Sequence, residues 1–354
     1  MPDTYQNILN QQQFLAPSNW PTIHTIDMHT GGEPLRVILN GLPELKGDSV
    51  LAYRRYMKEN HDAYRTALMF EPRGHADMYG CVLVPPNDDK ADFGILFLHN
   101  EGYSTMCGHA VIAITKLAVE MGWVVKKSPE TQVVIDAPCG RIYAYAKVAN
   151  DQVTGVYFHC VPSFVLGLDL QVEVPGLGNV TYDLAYGGAF YAFVNADKLG
   201  ISLDRENVQE HIQKGMAIKR AVMNSSQAVT HPFEADLSFL YGTIFISDNT
   251  LDPASHSRNV CVFAEGEVDR CPTGSGVSGR MAIHHARQEI KQGDEPFVIE
   301  SILGSTFKGS VVSTEDYGPY QAVIPQVEGN AHIVGQNQWL IDPEDPLRDG
   351  FILR

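Results

Sequence analysis

The 354-residue sequence lacks the features of several protein classes. It has no long run of Lys or Arg and a formal charge of -16, so a phosphate backbone or an anionic membrane would mostly repel it. No apolar run approaches the length that spans a bilayer, and the N-terminal segment lacks the basic and apolar regions of a signal peptide. We therefore expect a cytosolic protein that binds neither nucleic acid nor membranes.

Familiar catalytic motifs are also missing. The GSG at 274–276 lacks the lysine and the spacing of a P-loop, no GxGxxG follows a first strand, and no GxSxG is present. The histidines show no HExxH spacing, so we expect no metal site. The cysteines form no CxxC pairs, which favours reduced thiols over a disulfide framework. They are Cys81, Cys107, Cys139, Cys160, Cys261 and Cys271.

What is present is typical of a globular chain, with 44% hydrophobic and 19% charged residues. Residues 1–20 form a polar lead-in. Short β-branched or aromatic runs predict strands at 35–39, 79–84, 94–99, 131–138, 141–148 and 155–161. Helical periodicity is rarer and predicts helices at 49–66, 108–121, 203–223 and 275–291. The sequence therefore predicts a strand-rich α/β protein with few helices.

The chain also resembles itself. DMHTGGEPLRVIL from Asp27 is similar to DLAYGGAFYAFV from Asp183, and each half later has a strand, a polar loop and a helix that begins with glycine. In this second pairing Cys107 lies opposite Thr273. We predict two similar domains, at 21–166 and 167–335, with 336–354 returning to the first.

Cys107 precedes the helix predicted at 108–121. The N–H groups of Gly108 and His109 at its start have no partner within the helix, so they are able to bind a carboxylate. The positive end of the helix dipole is also expected to lower the pKa of the Cys107 thiol. The alternative is an inert, buried cysteine.

The second half repeats this arrangement with a hydroxyl in place of the thiol. Gly274 and Ser275 supply N–H groups at the start of their helix, and Thr273 precedes them. Two such helix ends facing each other would hold one small carboxylate from both sides. Asp269 is either an ordinary turn residue or the acceptor of a hydrogen bond from a substrate ammonium.

Taken together, five motifs resemble the proline racemase family, in order and over nearly the whole chain. They are MHTGGEP (28–34), EPRGHADMYG (71–80), EGYSTMCGHA (101–110), YGGAFYAFV (186–194) and DRCPTGSG (269–276). The resemblance implies the fold that this family shares with diaminopimelate epimerase. That fold has two pseudo-symmetric α/β domains, each a curled, mostly antiparallel sheet around a central helix, with the substrate between them.

The resemblance also implies a reaction. Racemases and epimerases of the family use two cysteines and no cofactor, one on each face of the substrate α-carbon. Cys107 matches the first cysteine, whereas Thr273 stands at the second. An aliphatic hydroxyl is too weakly acidic to exchange protons as a thiol does. The Cys and Thr pair is similar to the trans-3-hydroxy-L-proline dehydratase branch, and implies a hydro-lyase.

The substrate's stereochemistry gives a reason why one thiol is enough. The hydroxyl of trans-3-hydroxy-L-proline lies on the same ring face as the α-hydrogen, so one group can take the proton and return it to the departing hydroxyl. We expect Cys107 to act in this way, with Thr273 as a spectator or a hydrogen-bond donor on the other face. Tyr79 and Phe263 match the family's aromatic pocket walls, although they are otherwise plain core residues. The resemblance also implies a homodimer.

Two alternatives remain open. The first is a racemase or hydroxyproline 2-epimerase in which Cys271 is a displaced second thiol. The second is a non-catalytic amino-acid-binding protein that keeps the carboxylate site without turnover.

Overall fold

The computed structural model describes residues 3–353. Its α-helices are α1 (Asp3–Asn10), α2 (Val50–Asn60), α3 (Asp62–Met69), α4 (Gly108–Glu120), α5 (Val208–Met223) and α6 (Gly274–Ala286). Short 3-10 helices lie at Asp197–Leu199, Arg205–Asn207 and Ala235–Leu237.

The strands of the first half of the chain are β1 (Thr22–Thr30), β2 (Glu33–Asn40), β3 (Tyr79–Val84), β4 (Phe93–His99), β5 (Gly102–Ser104), β6 (Glu130–Ala137), β7 (Gly140–Ala149) and β8 (Gln152–His159). Those that follow are β9 (Phe164–Val174), β10 (Gly178–Tyr186), β11 (Phe190–Asn195), β12 (Leu240–Ser247), β13 (Ser257–Phe263), β14 (Glu267–Val268), β15 (Phe297–Glu300), β16 (Thr306–Tyr317), β17 (Tyr320–Gly329) and β18 (Ala331–Leu340).

Strand pairing divides the sheet into two equivalent parts. One part has the order β18-β1-β2-β3-β4-β6-β7-β8, with β2/β3 and β4/β6 parallel and the other pairs antiparallel. The other has the order β9-β10-β11-β12-β13-β15-β16-β17, with parallel pairs at the same two places. Strands β8 and β17 pair and join the two parts. The predicted pseudo-symmetric fold is confirmed.

Each part of the sheet curls around one helix. α4 packs against β1, β7 and β8, and α6 packs against β10, β16 and β17. α4 is apolar on nearly all sides, and ten of its residues after Gly108 are buried, as expected for a helix with no face toward water. It ends where Gly122 adopts a left-handed φ of 70°. The two central helices therefore start at fixed points inside the molecule.

Three of the predicted helices differ from the observed ones, one by a break in its middle and two at one end. The helix expected at 49–66 is two helices, because His61 has a non-helical backbone (φ -137°, ψ 22°) between α2 and α3. The segment 203–207 contains a 3-10 turn, and α5 begins only at Val208. α6 ends at Ala286, and Gln288 has a positive φ of 62°, so 287–291 does not continue the helix.

The division into domains at 166 and 167 stays a prediction, and β9 runs across that position. The pairing of β18 with β1 is the contact through which the C-terminal segment returns to the start of the chain. Among residues 3–353, every helix is too short or too polar to cross a membrane.

Candidate active site

The two central helices meet end to end. A Cβ atom placed on Gly108 would lie 2.6 Å from the Cα of Gly274, and one placed on Gly274 would lie 2.7 Å from the Cα of Gly108. Two residues with side chains would not fit at this distance, which explains glycine at both positions. The expectation that the two helix N-termini face each other therefore agrees with the geometry.

The backbone at both helix ends is open to a ligand. The first hydrogen bonds within the helices run from the Val111 N–H to the Cys107 carbonyl (3.0 Å) and from the Val277 N–H to the Thr273 carbonyl (2.7 Å). The N–H groups before Val111 and Val277 therefore lie outside the helical ladders. Two positive helix ends at one point favour an anion such as a carboxylate.

Cys107 is the N-cap of α4 and is 3% exposed. Its Sγ lies 3.1 Å from Nδ1 of His109, whose Nε2 lies 3.2 Å from the carbonyl oxygen of Pro34. Because a carbonyl only accepts, Nε2 carries the ring proton and Nδ1 accepts the thiol's hydrogen bond. Burial lowers the pKa of His109 to about 4, so the imidazole is neutral.

The expectation of a low pKa for the Cys107 thiol is wrong. Burial raises this pKa well above its ordinary value, and the charges of Asp269 and Glu33 add to the effect. The Ala110 N–H and the Tyr79 hydroxyl lower the pKa, but less than burial raises it. Desolvation of the charged sulphur therefore outweighs the field of the helix.

Thr273 caps α6 as Cys107 caps α4, with a different orientation of its polar group. Its hydroxyl donates to Oδ2 of Asp269 at 2.8 Å, and Oδ1 of Asp269 accepts the Cys271 N–H at 2.8 Å. Thr273 also has a φ of 66°, which is rare for a β-branched residue. The Thr273 side chain therefore orients Asp269.

Aromatic rings form one wall of the site. Tyr241 stacks on Phe263 with 5.3 Å between ring centroids, and Tyr79 meets the His109 ring edge to face at 4.8 Å. On another side, the Tyr191 hydroxyl lies 2.8 Å from the Ser275 hydroxyl. These rings leave a small apolar space beside the two helix ends.

A single small cavity is lined by all nine site residues predicted from the sequence: Tyr79, Cys107, Gly108, His109, Phe263, Asp269, Thr273, Gly274 and Ser275. The same cavity is lined by five residues that the sequence did not single out: Glu33, Met106, Tyr191, Tyr241 and Cys261. Of these, Glu33 follows a repeated Gly-Gly pair, which was a usable signal. The other four lie in segments whose sequence pattern indicates only buried core residues.

Two further cysteines lie near Thr273. Cys271 is fully buried and its sulphur accepts the Thr273 N–H at 3.3 Å, so its thiol is turned toward its own loop and does not line the cavity. Cys261, on β13, does line the cavity and lies beside the Thr273 side chain. Any second thiol in the cavity would therefore be Cys261, not Cys271.

One group of possible metal ligands is present in residues 3–353. Donor atoms of His109, Asp269 and Cys271 lie within 4.8 Å of one another. Each of these side chains already takes part in a hydrogen bond within the site. Those bonds account for the arrangement of the three side chains.

Comparison with known proteins places this cavity in a family. Residues 25–352 match the family model described as proline racemase. The chain is 52% identical to a trans-3-hydroxy-L-proline dehydratase of Colwellia psychrerythraea, over 99% of this chain and 97% of that protein. It is 47% identical to a 3-hydroxyproline 2-epimerase of Burkholderia multivorans, over 94% of this chain and 98% of that protein.

Among solved structures, the fold matches a hydroxyproline epimerase of Agrobacterium vitis that holds trans-4-hydroxy-L-proline. The TM-score is 0.86 at 31% identity, covering 94% of this chain and 96% of that one. The match of the family model over nearly the whole chain agrees with the paired helix ends and the five sequence motifs. The chain belongs to the proline racemase family.

Proposed function

We propose that the protein is a hydro-lyase that converts trans-3-hydroxy-L-proline into Δ1-pyrroline-2-carboxylate without a cofactor. The observation that carries the proposal is Thr273. It occupies on α6 the place that Cys107 occupies on α4, and its hydroxyl is committed to Asp269. One face of the substrate site therefore has a thiol, and its symmetry-related position has none.

The relatives support the substrate class. Proteins named trans-3-hydroxy-L-proline dehydratase are 45 to 52% identical to this chain over nearly their full length. A protein named 3-hydroxyproline 2-epimerase is 47% identical, so overall similarity does not separate elimination from inversion. We infer that the residue opposite Cys107 separates them, as the family resemblance implies.

In the proposed complex the substrate carboxylate lies between the two helix ends. The N–H groups of Gly108, His109, Gly274 and Ser275 bind it, and Asp269 accepts a hydrogen bond from the ring ammonium. Drawing charge into the carboxylate stabilises the carbanion-like transition state at the α-carbon. Fixed donors in a site that excludes water make this electrostatic stabilisation strong.

Cys107 carries out the proton transfers. The active form of Cys107 is the thiolate, whose proton has gone to solvent. Nδ1 of His109 lies 3.1 Å from the sulphur and accepts the thiol's hydrogen bond, but a group with a pKa of about 4 is too weak a base to keep the proton. The thiolate then takes the α-proton, the α,β double bond forms, and the bond from C3 to oxygen breaks. The new thiol returns its proton to the departing hydroxyl on the same ring face, so water leaves and the thiolate is restored. The enamine product tautomerises to the cyclic imine.

The aromatic wall positions the five-membered ring of the substrate. Tyr79 and Phe263 contact the apolar edge of the five-membered ring in this arrangement, and Tyr241 extends the same wall. Together they exclude water from the reacting carbon, which strengthens the electrostatic effects of the helix ends.

Epimerisation is the second candidate function, and Cys261 is the observation that favours it, because its thiol lines the cavity on the side of Thr273. In that case the Cys261→Ala variant would lose an α-proton exchange that the wild type shows, and Cys271→Ala would keep it. The elimination proposal predicts that neither change affects product formation by more than about threefold.

A product assay tests the proposal. The protein is incubated with each isomer of 3- and 4-hydroxyproline, and the imine is trapped with o-aminobenzaldehyde. We expect imine from trans-3-hydroxy-L-proline only. The Cys107→Ala variant should lose at least about 1,000-fold in kcat, because no other group on that face takes the proton. Equal imine formation by Cys107→Ala would rule out the mechanism. No imine from any isomer would reject the dehydratase; α-deuteration in D2O would then favour an epimerase, and no deuteration an amino-acid-binding protein.

We also propose a cytoplasmic homodimer. The six cysteines are all unpaired and buried, as in proteins of reducing compartments. Light scattering of the purified protein should give twice the 39.1 kDa mass of the chain. The mass of a single chain would contradict the dimer.

A further inference from the structure

Glu33 is a buried acid that lines the cavity, and one of its carboxyl oxygens has no hydrogen-bond partner among residues 3–353. It begins β2, its side chain is 0% exposed, and it lines the cavity beside Cys107 and Asp269. Its Oε2 accepts the Arg270 N–H at 2.8 Å. No donor among residues 3–353 forms a hydrogen bond with Oε1. A buried polar atom without a partner costs free energy, so a ligand group at that place would be bound favourably.

The surroundings of Glu33 favour its protonated form. Burial, and then the charge of Asp269, raise its pKa well above the ordinary value, and Arg270 opposes them only in part. The charge of Asp77 also raises the pKa of Glu33. The groups that interact electrostatically with Glu33 are Asp269, Arg270, Asp77 and the thiols of Cys107, Cys261 and Cys271.

The groups of the site that already have partners determine which ligand group fits beside Glu33. The carboxylate belongs at the two helix ends. His109 is engaged at both ring nitrogens, by Cys107 and by Pro34. The remaining polar group common to proline-like substrates is the ring ammonium, which has two N–H donors. Asp269 supplies an acceptor for one of them.

We propose that Glu33 and Asp269 form a two-acceptor site for a secondary ammonium, each accepting one ring N–H, and that substrate binding displaces the proton of Glu33 into solvent. This inference rests on the proposed function for the orientation of the substrate.

Geometry is the reason why the proton leaves. When Oε1 accepts an N–H, a retained proton would have to lie on Oε2. That oxygen faces the Arg270 N–H at 2.8 Å and the Arg270 guanidinium at 3.9 Å, both of which are donors. An ammonium in hydrogen-bond contact also favours the charged form of a carboxyl. Both effects act in the same direction.

Calorimetry measures the displaced proton directly. The full-length Cys107→Ala protein, in which turnover is blocked, is titrated with trans-3-hydroxy-L-proline at about pH 6 in buffers of different ionisation enthalpy. We expect release of up to about one proton per site. Tetrahydrofuran-2-carboxylate has the same ring and carboxylate but no N–H, and it should release none.

Variants test the assignment to Glu33. Adding Glu33→Gln should abolish the release and weaken hydroxyproline binding about 10- to 100-fold, the range for a hydrogen bond with a charged partner. Affinity for the ether analogue should change by less than about threefold. The matched control is Glu300→Gln, which alters an equally buried glutamate outside the cavity and should leave the release unchanged.

Several results would overturn the inference: equal release by both ligands, release that persists in Glu33→Gln, or no binding of hydroxyproline at all. If Glu33→Gln does not fold, the comparison of the two ligands in the Cys107→Ala protein still decides. Imine formation by the wild type without proton release would reject this inference alone. Release that depends on Glu33 without imine formation would reject the dehydratase proposal alone.

Discussion

At the scale of single residues, the site is defined by an asymmetry between two positions that the fold makes equivalent. Cys107 and Thr273 cap the two central helices, but only Cys107 presents a group that is able to exchange protons with carbon. Burial outweighs the helix field at Cys107, so the surroundings favour the protonated thiol. Formation of the reactive thiolate of Cys107 therefore costs free energy, because the charged sulphur is shielded from water.

The raised pKa of Cys107 leads to a pH prediction. Below its pKa the thiol keeps its proton and is inactive, so kcat/KM should rise as the pH is raised from about 6 to 9. The measurement is the pH dependence of kcat/KM for imine formation. Glu33→Gln is the control, because it removes a carboxyl of the cavity whose pKa is also raised, and it should keep the rise. A flat or falling profile would contradict the thiolate mechanism.

Thr273 leads to a prediction about gain of function. Thr273→Cys places a thiol at the second helix end and removes the hydrogen bond to Asp269. We expect α-deuteration of L-proline in D2O, which the wild type lacks, and a loss of about tenfold in imine formation. Thr273→Ser keeps the hydroxyl and should show neither change. Deuteration of L-proline by the wild type at the same rate as Thr273→Cys would contradict the role assigned to this position.

At the scale of elements, the close contact of two helix ends holds the carboxylate site together. Glycine is required at 108 and 274 because the two backbones touch there. The carboxylate site is therefore built from two helix ends that lie more than a hundred residues apart in the sequence.

Gly108→Ala should disrupt that contact. The new Cβ would lie 2.6 Å from the Cα of Gly274, so one helix end has to move. We expect a loss of about 1–3 kcal/mol in unfolding free energy and of about 100-fold in kcat/KM, the effect of a displacement of about 1 Å at a catalytic site. Denaturation and imine kinetics measure the two effects. Gly335→Ala is the control, since its nearest neighbour would be the Asn337 side chain at 3.6 Å. Full activity of Gly108→Ala would show that the helix ends need not touch.

Some of the strands and helices could be predicted from sequence patterns, and others could not. The strands at 79–84 and 94–99 and the helix at 108–121 were predictable, because uniformly apolar segments bounded by turn residues have a clear signal. β18 was not predicted, because most of its residues are exposed or half-buried and its pattern carries little hydrophobic periodicity. The helix break at His61 depends on backbone conformation, which the apolar spacing of 49–66 does not show.

For the site, motifs located the residues and geometry supplied their relations. Cys107, Asp269 and Thr273 were found from their positions before helices. The contact of Glu33 with Arg270, 237 residues apart in sequence, was not predictable from local pattern, and neither was the dominance of burial over the helix field at Cys107. Both depend on how completely the two halves enclose the cavity.

At the scale of the whole molecule, the two halves of the repeat meet at the site. Besides the β8 and β17 ladder, the Arg270 N–H donates to Glu33 and the Thr105 hydroxyl donates to the Gly188 carbonyl at 2.8 Å. A bound substrate would add contacts to both halves at once. Ligand binding is therefore expected to stabilise the molecule as a whole.

Thermal unfolding of the Cys107→Ala protein measures this effect. Trans-3-hydroxy-L-proline at 100 times its Kd should add about 2.7 kcal/mol of stability, which corresponds to a rise in Tm of a few degrees. Asp269→Asn in the same background should need a higher ligand concentration for the same rise, because the ring ammonium loses a charged acceptor. An identical response in both proteins would show that Asp269 does not contact the substrate.

Elimination at a single thiol is the central claim, and proton NMR in D2O tests it most directly. The wild-type protein is incubated with trans-3-hydroxy-L-proline while the substrate and its products are followed. The account predicts loss of substrate with formation of Δ1-pyrroline-2-carboxylate, and no cis-3-hydroxy-D-proline. Build-up of that inverted isomer with deuterium at the α-carbon, in place of the imine, would contradict it.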